Sequence, residues 1–187
     1  WERGGGTMTW ADGQKYVGGW KNDNQEGDGT MTYVNGCTYV GNWRNGKREG
    51  KGKETWPDGK EYVGLWKEGK KKGRGVMKHP DDGTSWIVEE VNEKMVRIGS
   101  YVGEWKNDNQ ESDGTMTYVN GCTYVGNWRN GKREGKGKET WPDGKEYVGL
   151  WKEGKKEGHG VMKHPDDGTR WIVEEVNEKM VRIGSYT

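Results

Sequence analysis

Phenylalanine is absent from these 187 residues, only 28% of them are hydrophobic, and nothing approaches the run of about 18 apolar residues that a membrane-spanning helix needs. A typical domain carries about 45–50% apolar residues, so a large spherical core is excluded. Cysteine is nearly absent too: Cys37 and Cys122 have no other cysteine near either in sequence, which excludes a disulfide framework. They read as free thiols in a reducing, cytoplasmic setting. Three histidines, His79, His159 and His164, lack a cysteine at zinc-ligand spacing. No charge sign dominates, because 31 basic and 30 acidic residues leave a net charge of +1. The basic balance expected of a nucleic-acid binder is therefore missing.

Low hydrophobicity would suggest disorder, but disordered chains are poor in aromatics. Here 12 tryptophans and 9 tyrosines stand at even spacing among 34 glycines. From Tyr39 the chain reads Tyr39-x-Gly41-x-Trp43-x-x-Gly46-x-x-x-Gly50-x-Gly52, with Gly59 closing the unit, and Tyr62-x-Gly64-x-Trp66 begins the next. Tyr16-x-Gly18-x-Trp20 lies one period earlier. A short unit repeated with fixed glycines and aromatics builds a stacked array in which no unit buries its apolar face alone.

A longer period overlies the short one. Residues 16–100 recur as residues 101–185 with 80 identities in 85, the differences being Gly19/Glu104, Gly27/Ser112, Lys72/Glu157, Arg74/His159 and Ser85/Arg170. Solvent-facing positions tolerate substitution, so identity this high points to recent duplication. The array divides into a partial hairpin at 1–15, three repeats at 16–85, a shortened hairpin at 86–100, three duplicate repeats at 101–170, and a second shortened hairpin with the start of another repeat at 171–187. Half-units at both ends read as a segment of something longer.

Within a repeat, Tyr39, Gly41 and Trp43 share one face while Val40 and Asn42 share the other, the period-2 signature of a strand. Asn45-Gly46, Asp58-Gly59, Asn35-Gly36 and Asp12-Gly13 supply the positive φ of tight turns. A glycine between two rings leaves room for a ring from an adjoining unit to lie across the backbone. The glycine density excludes long helices. These features predict an all-β chain: an elongated, single twisted antiparallel sheet of stacked hairpins. In the shortened hairpin, Trp86-Ile-Val-Glu-Glu-Val91 and Lys94-Met-Val-Arg-Ile98 flank Asn92-Glu93, with Val88 in the strand-glycine slot and Glu90 in the tryptophan slot. It serves as a structural spacer or as a partner-binding face.

The Tyr-x-Gly-x-Trp-x-x-Gly-x-x-x-Gly-x-Gly pattern resembles the MORN repeat (membrane occupation and recognition nexus). The match is complete at 39–61 and 124–146. The repeats at Tyr62 and Tyr147 have one extra residue before Gly83 and Gly168, and those at Tyr16 and Tyr101 carry Asp23 and Asp108 in place of the first turn glycine. The resemblance implies a β-hairpin rod, often dimeric or larger, acting as a scaffold with activity supplied by attached domains. Its core aromatics would be Tyr16, Trp20, Tyr39, Trp43, Tyr62, Trp66, Tyr101, Trp105, Tyr124, Trp128, Tyr147 and Trp151.

Basic residues offer the candidate binding site: Lys47, Arg48, Lys51 and Lys53, then Lys70, Lys71, Lys72 and Arg74, which on a regular stack would line one edge. Lysines beside an anionic membrane contribute on the order of 1 kcal/mol each, although Glu49, Glu54, Glu61 and Glu68 are interleaved, and exposed sheet edges use lysine for protection. Asn22–Asp28 superficially looks like a calcium loop, but its twelfth position is Tyr33, where a bidentate glutamate is required. No nucleophile elbow or phosphate-binding loop is present, so the reading is of a protein that is not an enzyme, with no cofactor and no metal. Three functions stay open: a scaffold binding other proteins or itself, a peripheral module on anionic phospholipid, and the regulatory region of a larger enzyme. The expected setting is cytoplasmic, on a cytoskeletal or membrane surface.

Overall fold

The computed structural model describes residues 4–81 and 83–186, with the side chain of residue 186 excluded; Trp1, Glu2, Arg3 and Thr187, which the expected end hairpins included, lie outside the described residues. Sixteen antiparallel strands hydrogen-bond in chain order. The chain forms two compact units, one up to Ile98 and one from Gly99. The first contains β1 (Gly4–Thr9), β2 (Lys15–Lys21), β3 (Asn24–Thr32), β4 (Thr38–Arg44), β5 (Lys47–Thr55), β6 (Glu61–Lys67), β7 (Lys70–Lys78), β8 (Ser85–Val91) and the start of β9 (Lys94–Lys106). The second contains the rest of β9, then β10 (Asn109–Tyr118), β11 (Thr123–Arg129), β12 (Lys132–Thr140), β13 (Glu146–Lys152), β14 (Lys155–Lys163), β15 (Arg170–Val176) and β16 (Lys179–Tyr186).

Turn chemistry sets the register. Asn45 and Gly46 both have positive φ, 47° and 75°, which matches the twist of a two-residue hairpin between β4 and β5. Asn22 and Asp23 achieve the same at 49° and 62° without glycine, a conformation that Asn and Asp enter more readily than other side chains. The shortened hairpin turns at Asn92-Glu93 as expected, but its second arm does not stop at Ile98. It runs on as the 13-residue β9 into Tyr101 and Trp105, because no residue from Gly99 to Tyr101 adopts a turn conformation.

The strand glycines are filled by a ring, although the ring belongs to the same repeat rather than to an adjoining one. A Cβ on Gly41 would lie 2.6 Å from the Tyr39 hydroxyl, and one on Gly52, across the strand pair, 2.2 Å from it. Tyr39 therefore lies over its own strand glycine and over that of the paired strand. Tryptophan joins one repeat to the next: Trp43 meets Tyr16 at 5.4 Å and Tyr39 at 5.2 Å, both edge to face. Its indole N–H donates to the Gly29 carbonyl at 3.3 Å, and Trp66 repeats this toward Gly52 at 3.4 Å. Tyr16, Tyr39, Tyr62, Tyr124 and Tyr147 are fully buried.

The duplication is not structurally silent. In the first unit the register skips from Gly18↔Gly29 to Trp20↔Gln25, and a Cβ on Gly19 would strike the Glu26 carbonyl at 2.2 Å. In the second unit Glu104 fits because the hairpin opens: Glu104 pairs with Glu111, and the shift moves to Glu111/Gly114. Ser112 sits in that shift at φ 57°, where the first unit has Gly27 at 73°. Ser112→Gly should raise the stability of the second unit by about 1 kcal/mol by relieving a left-handed serine. Urea denaturation checks this, and an unchanged midpoint would show that the loop bears no strain.

Candidate functional site

In each unit a groove opens at the same place, between the last full repeat and the shortened hairpin. Its volume is about 610 Å³ in the first unit and about 660 Å³ in the second. The sequence explains the opening. Each tryptophan normally fills the space beside the tyrosine of the preceding repeat as well as its own, so that Tyr39 has Trp43 on one side and Trp66 on the other. In β8 the tryptophan slot holds Glu90, and among the described residues Tyr62 meets the indole of Trp66 alone. The unfilled space is lined by Trp66, Met95 and charged side chains, and Trp151 and Met180 line its twin.

Three ionised groups form the floor. Lys71 Nζ lies 2.8 Å from Glu54 Oε2, and the Arg48 guanidinium lies 3.5 Å from Glu54 Oε1. Arg48 stacks 4.0 Å above the Trp66 ring and donates to the Gly69 carbonyl at 2.9 Å. Lys71 sits 4.7 Å above Tyr62 and 4.8 Å above Trp56, in the space left by the absent indole. The second unit repeats the floor with Arg133, Glu139 and Lys156, at 3.2 Å and 2.7 Å from the carboxylate. Cation–ring contacts are strengthened where water is partly excluded.

Ion pairs run around the rim. Lys47 pairs with Glu68 at 2.6 Å, Lys70 with Glu93 at 2.9 Å and Lys72 with Glu90 at 3.2 Å. The Glu93 backbone N–H and Lys72 together hold the Glu90 carboxyl below its usual range, and Lys70 does the same for Glu93. Lys70 is raised in return by its bond to Glu93.

Of the eight basic residues taken from the sequence, the structure gathers Arg48, Lys70, Lys71 and Lys72 at the groove, and Lys47 stands beside it through Glu68. It does not bring the other three there. Lys53 is registered with Val40 and Val63 on the opposite face, where it pairs with Glu61 at 3.2 Å, Lys51 is registered with Leu65, and Arg74 with Glu89. Lys51 and Lys53 stand an odd number of residues along β5 from Arg48, so strand alternation puts them on the other face, and Arg74 lies within the β6–β7 register shift that separates Gly75 from Lys72. Sequence reasoning missed Glu54, Glu90, Glu93 and Met95 as groove residues. Glu90 in a tryptophan slot was the available signal.

The core aromatics stand where expected, except that Trp20 is only partly buried and Trp105 likewise. His79 packs against Trp86 with ring centres 4.5 Å apart. Cys37 and Cys122 are free thiols. No group of three or more potential metal ligands occurs among the described residues, and no helix among them is long and apolar enough to cross a membrane.

None of the curated proteins matches this sequence at a significant level. Solved structures similar to it at low scores include three that are related to one another by name. One is the SAS-4 (dCPAP) TCP domain of Drosophila melanogaster in complex with a proline-rich motif of Ana2 (dSTIL), at 15% identity and TM-score 0.30, covering 90% of this chain and 88% of that one. The second is a mutant TCP10 domain of Danio rerio CPAP, at 12% identity and TM-score 0.39, covering 97% and 88%. The third is the G-box domain of the microcephaly protein CPAP, at 15% identity and TM-score 0.28, covering 96% and 98%. The family match is of another order, since the MORN repeat is found at residues 4–15, 16–38, 39–61, 62–84, 101–123, 124–146 and 147–169. Seven repeats over most of the chain, with a tyrosine over paired glycines in each of the six that begin at Tyr16, Tyr39, Tyr62, Tyr101, Tyr124 and Tyr147, make this protein a member of the MORN repeat family.

Proposed function

We propose that the chain is a non-catalytic scaffold that binds other proteins or itself. The observation that supports this reading best is the state of its lysines. Lys47, Lys53, Lys70 and Lys72 each have a glutamate within 3.2 Å, so the basic residues that would attract an anionic bilayer are largely neutralised in place. What stays open on each unit is a concave groove with an aromatic floor, a feature suited to side chains of a protein partner. Attachment to a larger enzyme is compatible with the same scaffold role, and the free thiols fit a cytoplasmic setting.

Co-sedimentation with vesicles, neutral against phosphoinositide-containing, at low and high salt, separates this reading from its rival. The protein should stay in the supernatant throughout. Pelleting with the anionic vesicles alone, abolished by salt, would overturn it in favour of a peripheral membrane module.

A further inference from the structure

The two grooves are copies that differ in charge. Every lining residue of one has its counterpart in the other, and only Lys72, which became Glu157, changes. In the first unit five lining side chains are cationic and four anionic; in the second the numbers are four and five. Lys72 caps Glu90 at 3.2 Å. In the second unit Glu157 turns toward Lys152 at 3.8 Å, so Glu175, the counterpart of Glu90, has a carboxylate where its lysine would stand.

The floor explains what the first groove wants. Arg48 and Lys71 flank one carboxylate, Glu54, which leaves one positive charge in excess. All three are recessed, with side chains 24%, 24% and 14% exposed. The excess is best met by an anion that can reach the floor. A flat bilayer meets the rim first, where the Glu68 and Glu93 carboxylates are 66% and 74% exposed and repel it. A carboxylate on a side chain can pass between them. The lining spans β5 to β9, four strand spacings or about 19 Å, which an extended segment of about six residues covers.

We infer that the groove of the first unit is a docking site for an extended acidic segment of a partner protein, and that Lys72, exchanged for Glu157 in the second unit, restricts such binding to the first. This rests on the protein-binding reading above and adds the chemistry of the partner. An acidic side chain completes the Arg48–Glu54–Lys71 floor, apolar atoms of the segment lie on Trp66 and Met95, and Lys72 keeps Glu90 neutralised at the mouth so that it does not repel the segment. In the second unit Glu157 and Glu175 repel the same segment.

The duplication supplies variants whose folding the chain itself supports, since each unit already carries the other's residue. A labelled peptide of alternating glutamate and threonine is titrated by fluorescence anisotropy against the whole chain, beside its glutamine and lysine counterparts. The glutamate peptide should bind at one site, and Lys72→Glu should weaken it about tenfold or more, the effect of reversing one close charge. Glu157→Lys should raise the stoichiometry from one to two. Equal binding of the glutamine peptide, or indifference to both variants, overturns the acidic preference and leaves a protein scaffold. Failure of all three peptides overturns the docking site. If that failure comes with salt-sensitive, Lys72-dependent pelleting on phosphoinositide vesicles, the protein-binding reading falls as well.

Discussion

Trp43→Ala should destabilise the protein by about 3–5 kcal/mol, the range for truncating a buried tryptophan, whereas Trp20→Ala should cost about 1.5–3 kcal/mol. Both indoles hold the same position in their repeats, so the difference is set by what surrounds them. Trp43 is 6% exposed and lies between Tyr16 and Tyr39, with its N–H donated to the Gly29 carbonyl. Trp20 is partly exposed and, among the described residues, makes its ring contact with Tyr16 alone, at 5.1 Å. Removing Trp43 therefore deletes the link between two repeats, while removing Trp20 thins one end of a stack. Stability in such arrays is close to a sum of repeat terms and neighbour terms, so the Trp43→Ala transition should also broaden or split in urea. Equal midpoints for the two variants would show that the contact with the tyrosine of the preceding repeat contributes nothing.

The core was legible because every element of it is local or recurs at one spacing. Tyr39, Gly41 and Trp43 announce a strand by alternation, Asn45-Gly46 announces its turn, and the 23-residue period places each next to its equivalent. The donor of the covering ring was not legible: Tyr39 lies over Gly52, two register positions from its cross-strand partner Glu54, and period alone does not choose between that and a ring from the next repeat. The groove was less legible still. Arg48 and Glu54 of β5, Lys71 of β7 and Glu90 of β8 converge from three strands through cross-strand register, which no pattern along one strand encodes. Lys51 and Lys53 lie an odd number of residues from Arg48, so alternation along β5 already parts them, and grouping all three as one basic edge overlooked it. The ion pairs connect residues about one repeat apart, such as Lys47 with Glu68 and Lys70 with Glu93. A basic stretch read along the chain thus looks bare when it is already matched by the neighbouring repeat.

Alkaline pH should unfold the protein through its tyrosines, beginning above about pH 10. Burial pushes Tyr39, Tyr62, Tyr101 and Tyr124 up to about 12, and Tyr16 and Tyr147 are raised for the same reason. Between the unfolded and folded values, the folded chain keeps protons that the unfolded chain releases. The unfolded state then binds fewer protons, so stability is fully present below about pH 10 and falls as pH rises toward about 12. Each such tyrosine costs about 1.4 kcal/mol per pH unit in that window, so by about pH 12 four together remove on the order of 10 kcal/mol, comparable with a typical folding stability of about 5–15 kcal/mol. Lys70 and Lys155 are also raised by their glutamate partners, but as exposed pairs they add little. Tyr62→Phe isolates the effect. Among the described residues the buried Tyr62 hydroxyl has no hydrogen-bond partner, so its removal should cost little at neutral pH and should move the alkaline transition upward. Tyrosinate absorbance and circular dichroism, followed together, should change in one step. Ionisation that precedes the loss of sheet would show that the rings titrate in the folded state, and would remove burial of the tyrosine ladder as the cause.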